Sequence, residues 1–584
     1  MKNFLKIIFG TFFGIILFGI VSCLLFCIIL YAALPSEPLI TNNSVLKLDL
    51  NKKITERESF NLFSQLRLDG IVKPGNAGLL ELRESIKEAA SNDKIKGIFL
   101  NISSIDAGTA TLEELRDELQ EYKKSGKFLV AYSNTFSEKA FYLASVADKI
   151  YLAPSGSLEF NGLHIEILFY KNLLKKLGIE PEVFKVGEYK SAVEPFTADK
   201  MSAENREQLK VLLNSIYGNM LSSISASRDI PVKELVAMSD SMFVRNAEDA
   251  LHYKLVTDLG YPNDVEDFMR KALHLDKDKD INYVNYRSLV NLQEKNAKEK
   301  EEKVAVLYAV GNIVDGKGSD EVIAADDFVK ELRKAREDSS IKAIVLRINS
   351  PGGSALASDV IWSEIEHTRR YKPVIASMSD MAASGGYYIA SGCDTIVAHP
   401  TTITGSIGVF GVMFNGKKFL NDKLYITTDE EQTGPFADMG SFAKPLSPEK
   451  GKIIQDEVDD IYKRFVSVVA QGRSLSPERV NEIAQGRVWT GEDAAPIKLV
   501  DLSGGLDEAV KIAAKKAHMK DYEVVYLPEN NDIFLQALIA EMTEPSEKIL
   551  EKEAGIFYPY IKHAREIKEM EGVQALFPYD MTIK

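Results

Sequence analysis

The stretch Ile95-Lys-Gly-Ile-Phe-Leu-Asn-Ile-Ser-Ser104 returns as Ile341-Lys-Ala-Ile-Val-Leu-Arg-Ile-Asn-Ser350, and the distance between the two, 341 − 95 = 246 residues, decides the fold. Phe141-Tyr-Leu-Ala-Ser-Val-Ala-Asp148 answers Tyr387-Tyr-Ile-Ala-Ser-Gly-Cys-Asp394 at the same offset, 387 − 141 = 246, so no insertion lies between the two matches. Further on, Glu248-Asp-Ala250 with Lys254-Leu-Val256 answers Glu492-Asp-Ala494 with Lys498-Leu-Val500 at an offset of 244. Chance similarity does not hold so constant a spacing; the chain contains one unit twice.

Each copy reads as short apolar, β-rich runs alternating with amphipathic helical patterns, the signature of an α/β unit on a largely parallel sheet. In the second copy Val304–Val310, Ala343–Ile348 and Pro373–Met378 predict strands, with helices over Asp326–Glu337 and Ser354–Thr368. The first copy repeats the succession at Gly97–Ile102, Leu112–Lys124 and Phe128–Tyr132. The expected division is an N-terminus and anchor over 1–38, a first domain over 39–293, a charged linker or exposed helix over 294–303, a second domain over 304–530 and a tail over 531–584.

A chain of 584 residues with 45% hydrophobic and 27% charged residues is a folded protein of at least two domains. Its net charge of −14 is spread without a basic patch, which sets nucleic acid aside as a partner. Of three cysteines, Cys23 and Cys27 lie in the first apolar stretch, so Cys393 has no partner for an intramolecular disulfide. With seven histidines, none clustered, and no CxxC or HExxH, neither a metal nor a cofactor is expected.

From Ile7 to Leu34 no charged residue occurs, a run long enough to cross a bilayer, which takes about 20 apolar residues. Lys2 and Lys6 precede it and the next basic residue is Lys47, so the N-terminus is expected in the cytoplasm and the rest across the membrane. Ile20-Val-Ser-Cys23 has the look of a lipidation site, but Leu24 to Leu34 continues apolar where a polar tether is usual.

Candidate chemistry gathers in the second copy. Asn349-Ser-Pro-Gly-Gly-Ser354 follows a predicted strand and precedes a helix, a turn whose glycines let backbone N–H groups approach a ligand or simply allow the turn. Met381-Ala-Ala-Ser-Gly-Gly-Tyr-Tyr388 sets Ser384 at the start of a helix, as nucleophile or as N-cap. At offset 246, Ser384 faces Glu138, Gly385 faces Lys139, and Gly352-Gly353 faces Asp106-Ala107, so the first copy cannot run the same chemistry alone. A serine nucleophile needs a base. No histidine lies near these motifs except His399, which has no carboxylate partner by sequence; a desolvated lysine is the alternative, and Lys190 in Gly187-Glu-Tyr-Lys-Ser-Ala-Val-Glu-Pro-Phe196 is the candidate.

Tyr189-Lys-Ser-Ala-Val-Glu-Pro-Phe196, Asn349–Ser354, Ala383-Ser-Gly-Gly-Tyr-Tyr388 and Thr404-Gly-Ser-Ile-Gly408 together resemble the motifs of the long, duplicated form of signal peptide peptidase A. The resemblance implies Ser384 as nucleophile, Lys190 as general base and Ser406 as the residue orienting the lysine; from the turns themselves, the oxyanion is expected on backbone N–H groups of Gly353 and Gly385, with Gly352 as a third candidate. It also implies a Clp-protease-like, crotonase-like fold in each half behind a transmembrane helix and a bowl-shaped homotetramer. The implied substrates are hydrophobic remnant signal peptides, and the implied place is the inner membrane, single-pass, with the catalytic halves in the periplasm. Short family members carry serine and lysine in one domain, the lysine in a Tyr-Lys-Asp-Met-Gly-Ser pattern; here that pattern reads Phe436-Ala437-Asp438-Met439-Gly440-Ser441, with alanine in the lysine's place. Two other readings stand beside this one: a crotonase-type acyl-thioester enzyme and a non-catalytic membrane scaffold.

Overall fold

Two parallel sheets are built on the repeated strands of the computed structural model, which describes residues 40–58, 76–296, 299–318, 322–528 and 572–576 with short pieces between 10 and 25. In the first half the order is Asp258–Leu259, Lys149–Leu158, Phe128–Phe136, Ile95–Asn101, Ser44–Asp49, Tyr283–Val284, all parallel. The second half repeats it with Leu502–Ser503, Thr395–Ala398, Val374–Ala383, Ile341–Ser350, Lys303–Val310, Glu523–Leu527. Central strands such as Ala343–Ile348 are buried on both faces, which is why they read as continuous apolar runs rather than alternating ones.

The duplication reaches the backbone. Each half has a 26-residue helix, Ala203–Arg228 and Pro448–Arg473, ended by a left-handed residue, Asp229 at φ 54° and Ser474 at φ 53°. Lys254 and Lys498 at φ 60° and 66°, and His274 and His518 at φ 55° and 58°, are further left-handed pairs at offset 244.

The helices expected in the second half occur at Ala325–Glu337 and Ala355–Thr368, the latter capped by Ser354 Oγ, which accepts from Ala357 N at 3.2 Å. The strand expected at Pro373–Met378 begins at Val374 and runs on to Ala383. Polar Ser379 and Asp380 interrupt the apolar run there, but the backbone keeps pairing, because Met381–Ala383 lie beside Ile403–Gly405. In the expected linker, a helix spans Tyr286–Asn296 and a strand begins at Lys303. The apolar run from Ile7 to Leu34 lies largely outside the described residues, as does Cys23; among the described residues no helix is long and apolar enough to cross a membrane.

A third sheet ties the halves together. Its order is Val322–Ala324, Asn312–Val314, Gly352–Ser354, Gly572–Leu576, Val409–Asn415, Glu180–Val186, and the last strand belongs to the first half. The segment from 531 onward holds no recognisable motif, yet Gly572–Leu576 within it is a strand at the centre of this sheet.

Buried charges form the second tie. Arg347 of the second half, fully buried, donates to Glu56 at 2.8 Å and Glu114 at 2.7 Å, both in the first half. Arg83 joins Glu114 at 3.1 Å to Asp507 at 2.5 Å. Burial alone would raise the Glu114 carboxyl, but Arg347 and Arg83 hold it well below the usual carboxylate range. Removing one partner of such a group leaves buried charge uncompensated, so Arg347→Ala is expected to cost about 3–5 kcal/mol in denaturant unfolding. A loss below about 1 kcal/mol, the value of an exposed pair, would show that the network does not join the halves.

Candidate active site

Ser384 follows directly on the strand Val374–Ala383 and precedes the short helix Gly385–Ala390. Its backbone sits at φ 53°, ψ −114°, a conformation costly for a residue with a Cβ. Ser384 N donates to Gly405 O at 2.8 Å, and Tyr388 N donates to Ser384 O at 2.8 Å, so both sides of the turn are pinned. Ser406, one residue beyond that carbonyl, also has positive φ, 51°, and its N–H donates to Arg487 O at 2.7 Å.

Lys190 arrives from the first half. The strand Glu180–Val186 pairs antiparallel with Val409–Asn415, Val186 opposite Val409, and the chain then turns at Gly187 toward Ser384. Tyr189 N donates to Gln485 O at 2.9 Å. Gly486, at φ 77°, lies flat against the lysine; a β-carbon on it would come within 2.6 Å of Lys190 N. Gln208 Nε2 donates to Tyr189 O and to Ser191 Oγ, each at 3.1 Å, while its Oε1 accepts from Val488 N at 3.3 Å. Glu194 accepts from Asn205 Nδ2 at 2.9 Å and Phe196 meets Phe414 edge-on, so the motif around Lys190 is held from both halves.

The outcome is a Lys190 Nζ 2.9 Å from Ser384 Oγ, 3.1 Å from Ser406 Oγ and 3.2 Å from Ser406 O. Ser384, Lys190 and Ser406 are each no more than 1% exposed. Burial, with no charged group to offset it, pushes the lysine down to about 7. A neutral amine fits these neighbours completely: its two N–H groups donate to the carbonyl and hydroxyl of Ser406, and its lone pair accepts the Ser384 hydroxyl proton.

The glycines take different parts. Gly352, at φ 103°, has its N–H committed to Ser350 Oγ at 3.1 Å, so this N–H, expected toward an oxyanion, serves the turn instead. A β-carbon at Gly352 would lie 2.6 Å from Gly385 N, so its smallness keeps open the space in front of that N–H. Gly353 neighbours this point on the strand Gly352–Ser354.

His399 does have a carboxylate partner, one that sequence distance hid. It is buried 3.5 Å from Glu114 in the network between the halves, and makes no bond to Ser384. In the first half, Glu138 Oε2 accepts from Asn161 N at 3.1 Å and Gly162 N at 2.9 Å, and Lys139 donates to Ala107 O at 3.0 Å. The space used by serine and glycines in one copy is closed by an internal carboxylate and ammonium in the other. Ala437 sits on an exposed turn, its N–H donating to Gly434 O at 3.2 Å. Gln208, Asn205 and Gly486 were not legible as site residues; they act by holding Lys190 and carry no motif of their own.

The model of peptidase family S49 matches residues 121–276 and 366–520, once in each half, and that of Clp protease matches 295–402. The chain is 36% identical to Protease 4 of Salmonella typhi over 90% of its length and 87% of that protein. It is 33% identical to Protease 4 of Haemophilus influenzae, over 90% of this chain and 89% of that one. It is also 34% identical to the chloroplastic serine protease SPPA of Arabidopsis thaliana, covering 86% and 74%.

Replacing Gly486 by alanine forces a methyl group against the Lys190 backbone. Gly486→Ala is expected to slow labelling of Ser384 by a serine-directed phosphonate about tenfold or more, since misplacement by an ångström is enough to do so. Unchanged labelling would show that Gly486 does not set the lysine's position.

Proposed function

The chain belongs to peptidase family S49, as a serine protease of the duplicated signal peptide peptidase A type, and we propose that it works through a dyad of Ser384 and Lys190. The observation that carries the proposal is the 2.9 Å contact between the two side chains, buried and without a counter-charge on the amine. Neutral Lys190 takes the Ser384 proton as Oγ attacks the peptide carbonyl, and N–H groups of Gly353 and Gly385 receive the developing oxyanion. Protonated Lys190 then gives its proton to the leaving amine. Water hydrolyses the ester with Lys190 again as base, and Ser406 keeps the amine aimed throughout.

Family membership removes the scaffold and acyl-thioester readings. For substrate we propose remnant signal peptides bound extended, which is supported by the apolar cluster of Ala192, Val193, Phe410 and Val412 beside Lys190. The uncharged run Ile7–Leu34 behind Lys2 and Lys6 supports a single-pass inner-membrane anchor with the catalytic halves in the periplasm.

We also propose assembly into a closed ring of copies, a tetramer by family resemblance. Its support is the repeat itself. Val409–Asn415 pairs with Glu180–Val186 across the halves, and shifting the first by 246 gives 163–169. Lys190 corresponds to Ala437 at 437 − 190 = 247, and the same shift carries 180–186 to 427–433. Residues 163–169 alternate between half-buried and exposed, and neither segment has a strand partner among the described residues. The joint used inside one chain is thus available again between chains.

Ser384→Ala and Lys190→Met are each expected to lower peptide hydrolysis by at least about 10³-fold with folding intact, and Ser406→Ala by less. Near-normal turnover by either of the first two, in a purified assay, would sink the dyad. The rate should rise about tenfold per pH unit below the lysine's value of about 7 and level off above it, because only the neutral amine is a base. A flat profile between about pH 5.5 and 8.5 would count against Lys190.

A further inference from the structure

Two short helical segments at one end of the third sheet bury none of their side chains. Lys171–Leu177 leads into the strand Glu180–Val186, and Phe419–Lys423 follows the strand Val409–Asn415 that pairs with it. The two lie side by side: Phe419 N donates to Gly178 O at 3.0 Å, and a β-carbon on Gly178 would come within 2.9 Å of Phe419 N. The repeat relates them. Lys171-Asn-Leu-Leu-Lys-Lys-Leu177 answers Lys418-Phe-Leu-Asn-Asp-Lys-Leu424 at 418 − 171 = 247, the shift that carries Lys190 to Ala437. Both copies read Lys-x-Leu-x-x-Lys-Leu, although Ser384 answers Glu138 and Lys190 answers Ala437 nearby. Core packing does not explain the identity, since none of these side chains is in a core.

What the segments present outward is apolar and basic. Leu173 and Leu177, four residues apart on one helix face, are exposed, as are Leu424, Ile426 and Tyr425, the last of them 88% exposed. Lys171, Lys175, Lys176, Lys417, Lys418 and Lys423 stand among them against Glu180 and Asp422, a balance of 6 − 2 = +4 over 171–180 and 417–426 in a chain of net charge −14. Lys418 pairs with Glu180 at 2.5 Å and Lys171 with Asp199 at 3.0 Å; the other four lysines make no ion pair among the described residues. Leucines interleaved with lysines on an amphipathic surface element suit the headgroup layer of an anionic bilayer, with apolar side chains at the acyl boundary and ammonium groups on phosphates.

We infer that this pair of segments docks on an anionic phospholipid surface and holds the dyad at a fixed height above it. The inference rests on the membrane-anchored reading above. An anchor over 7–34 ties the chain to the bilayer at one point and leaves its orientation free; a second, interfacial contact fixes that orientation. The dyad stands at the Val186 and Val409 end of the paired strands, and the two segments at the Glu180 and Asn415 end. The seven residues of Glu180–Val186 span about 23 Å at about 3.3 Å each. Docking therefore places the dyad about that far from the headgroups, within reach of an extended peptide whose other end is still in the bilayer. In the ring of copies proposed above, the pair would recur at the same end of every joint and line one rim.

The test uses the full-length chain with Tyr425→Trp as reporter, reconstituted into phosphatidylcholine vesicles with or without about 30% phosphatidylglycerol and with bromine on the acyl chains as quencher. The emission gained over the wild type should be quenched by at least about half in the anionic vesicles, and released at about 0.5 M salt, where surface charge is screened. Lys175→Glu with Lys176→Glu, added to the reporter, should reduce the quenching at least about threefold. A reporter that stays unquenched in a chain that floats with the vesicles at high salt overturns the inference and leaves the anchor standing. A chain that salt strips from the vesicles sinks the anchor as well. Equal quenching in neutral and anionic vesicles, or quenching that ignores the two substitutions, overturns recognition of the anionic surface. An unquenched reporter together with a smaller assembly mass in Leu173→Asp would show that a second copy covers the patch instead. Hydrolysis of a soluble peptide by the same sample reads the dyad separately from the docking.

Discussion

A lysine amine buried without a counter-charge is the condition on which this architecture rests. Moving it from 10.5 to about 7 corresponds to roughly 5 kcal/mol of disfavoured protonation. The folded protein gives up this proton near pH 7 while the unfolded chain keeps it to about 10.5, so the cost is full below about pH 7 and fades as pH rises toward 10.5. Such a group persists only where its surroundings hold it in place. Here that holding comes from both halves: the strand Glu180–Val186 on Val409–Asn415, and Gln208 spanning from Tyr189 and Ser191 to Val488.

The rest of the contact between halves treats charge in the opposite way. Arg347, Arg83, Glu56, Glu114 and Asp507 are ionised groups satisfied by one another, with His399 against Glu114. His399 is the one histidine near the catalytic half's motifs, and the carboxylates around it favour its charged form strongly enough to outweigh burial, so it is raised. An imidazole held against Glu114 in a structural network, with no bond to Ser384, is not placed to act as its base. Separating the two regions keeps carboxylates away from Lys190, which would otherwise hold it charged and idle.

What the sequence disclosed follows from how far each signal reaches. The repeat at 246 and the strand runs are local patterns, and they located the sheets to within a few residues. Ser384 and Lys190 were legible because glycine and small-residue motifs surround them. Glu114, by contrast, lies 233 residues from Arg347, and no periodicity links them. Gln208 sits on an amphipathic helix whose buried face would be read as ordinary core. The strand Gly572–Leu576 was illegible for a stronger reason: five residues become a strand because two unpaired edges receive them, and those edges exist only in the folded molecule.

Duplication makes sense of the division of labour. With identical copies, each half would hold a serine and a lysine, and every joint between halves would carry a site. In this chain Lys190 stands in the first half and Ser384 in the second, with Ala437 and Glu138 at the matching places, so on the proposed dyad the joint inside the chain would be complete. A joint made by 427–433 of one copy with 163–169 of the next would bring Ala437 toward Glu138, a pair without base or nucleophile. Glu138 bonded to Asn161 and Gly162, and Lys139 to Ala107, already close that space. On the proposed assembly, that second joint would be free of catalysis and would serve only to hold copies together, by strand pairing and apolar contact.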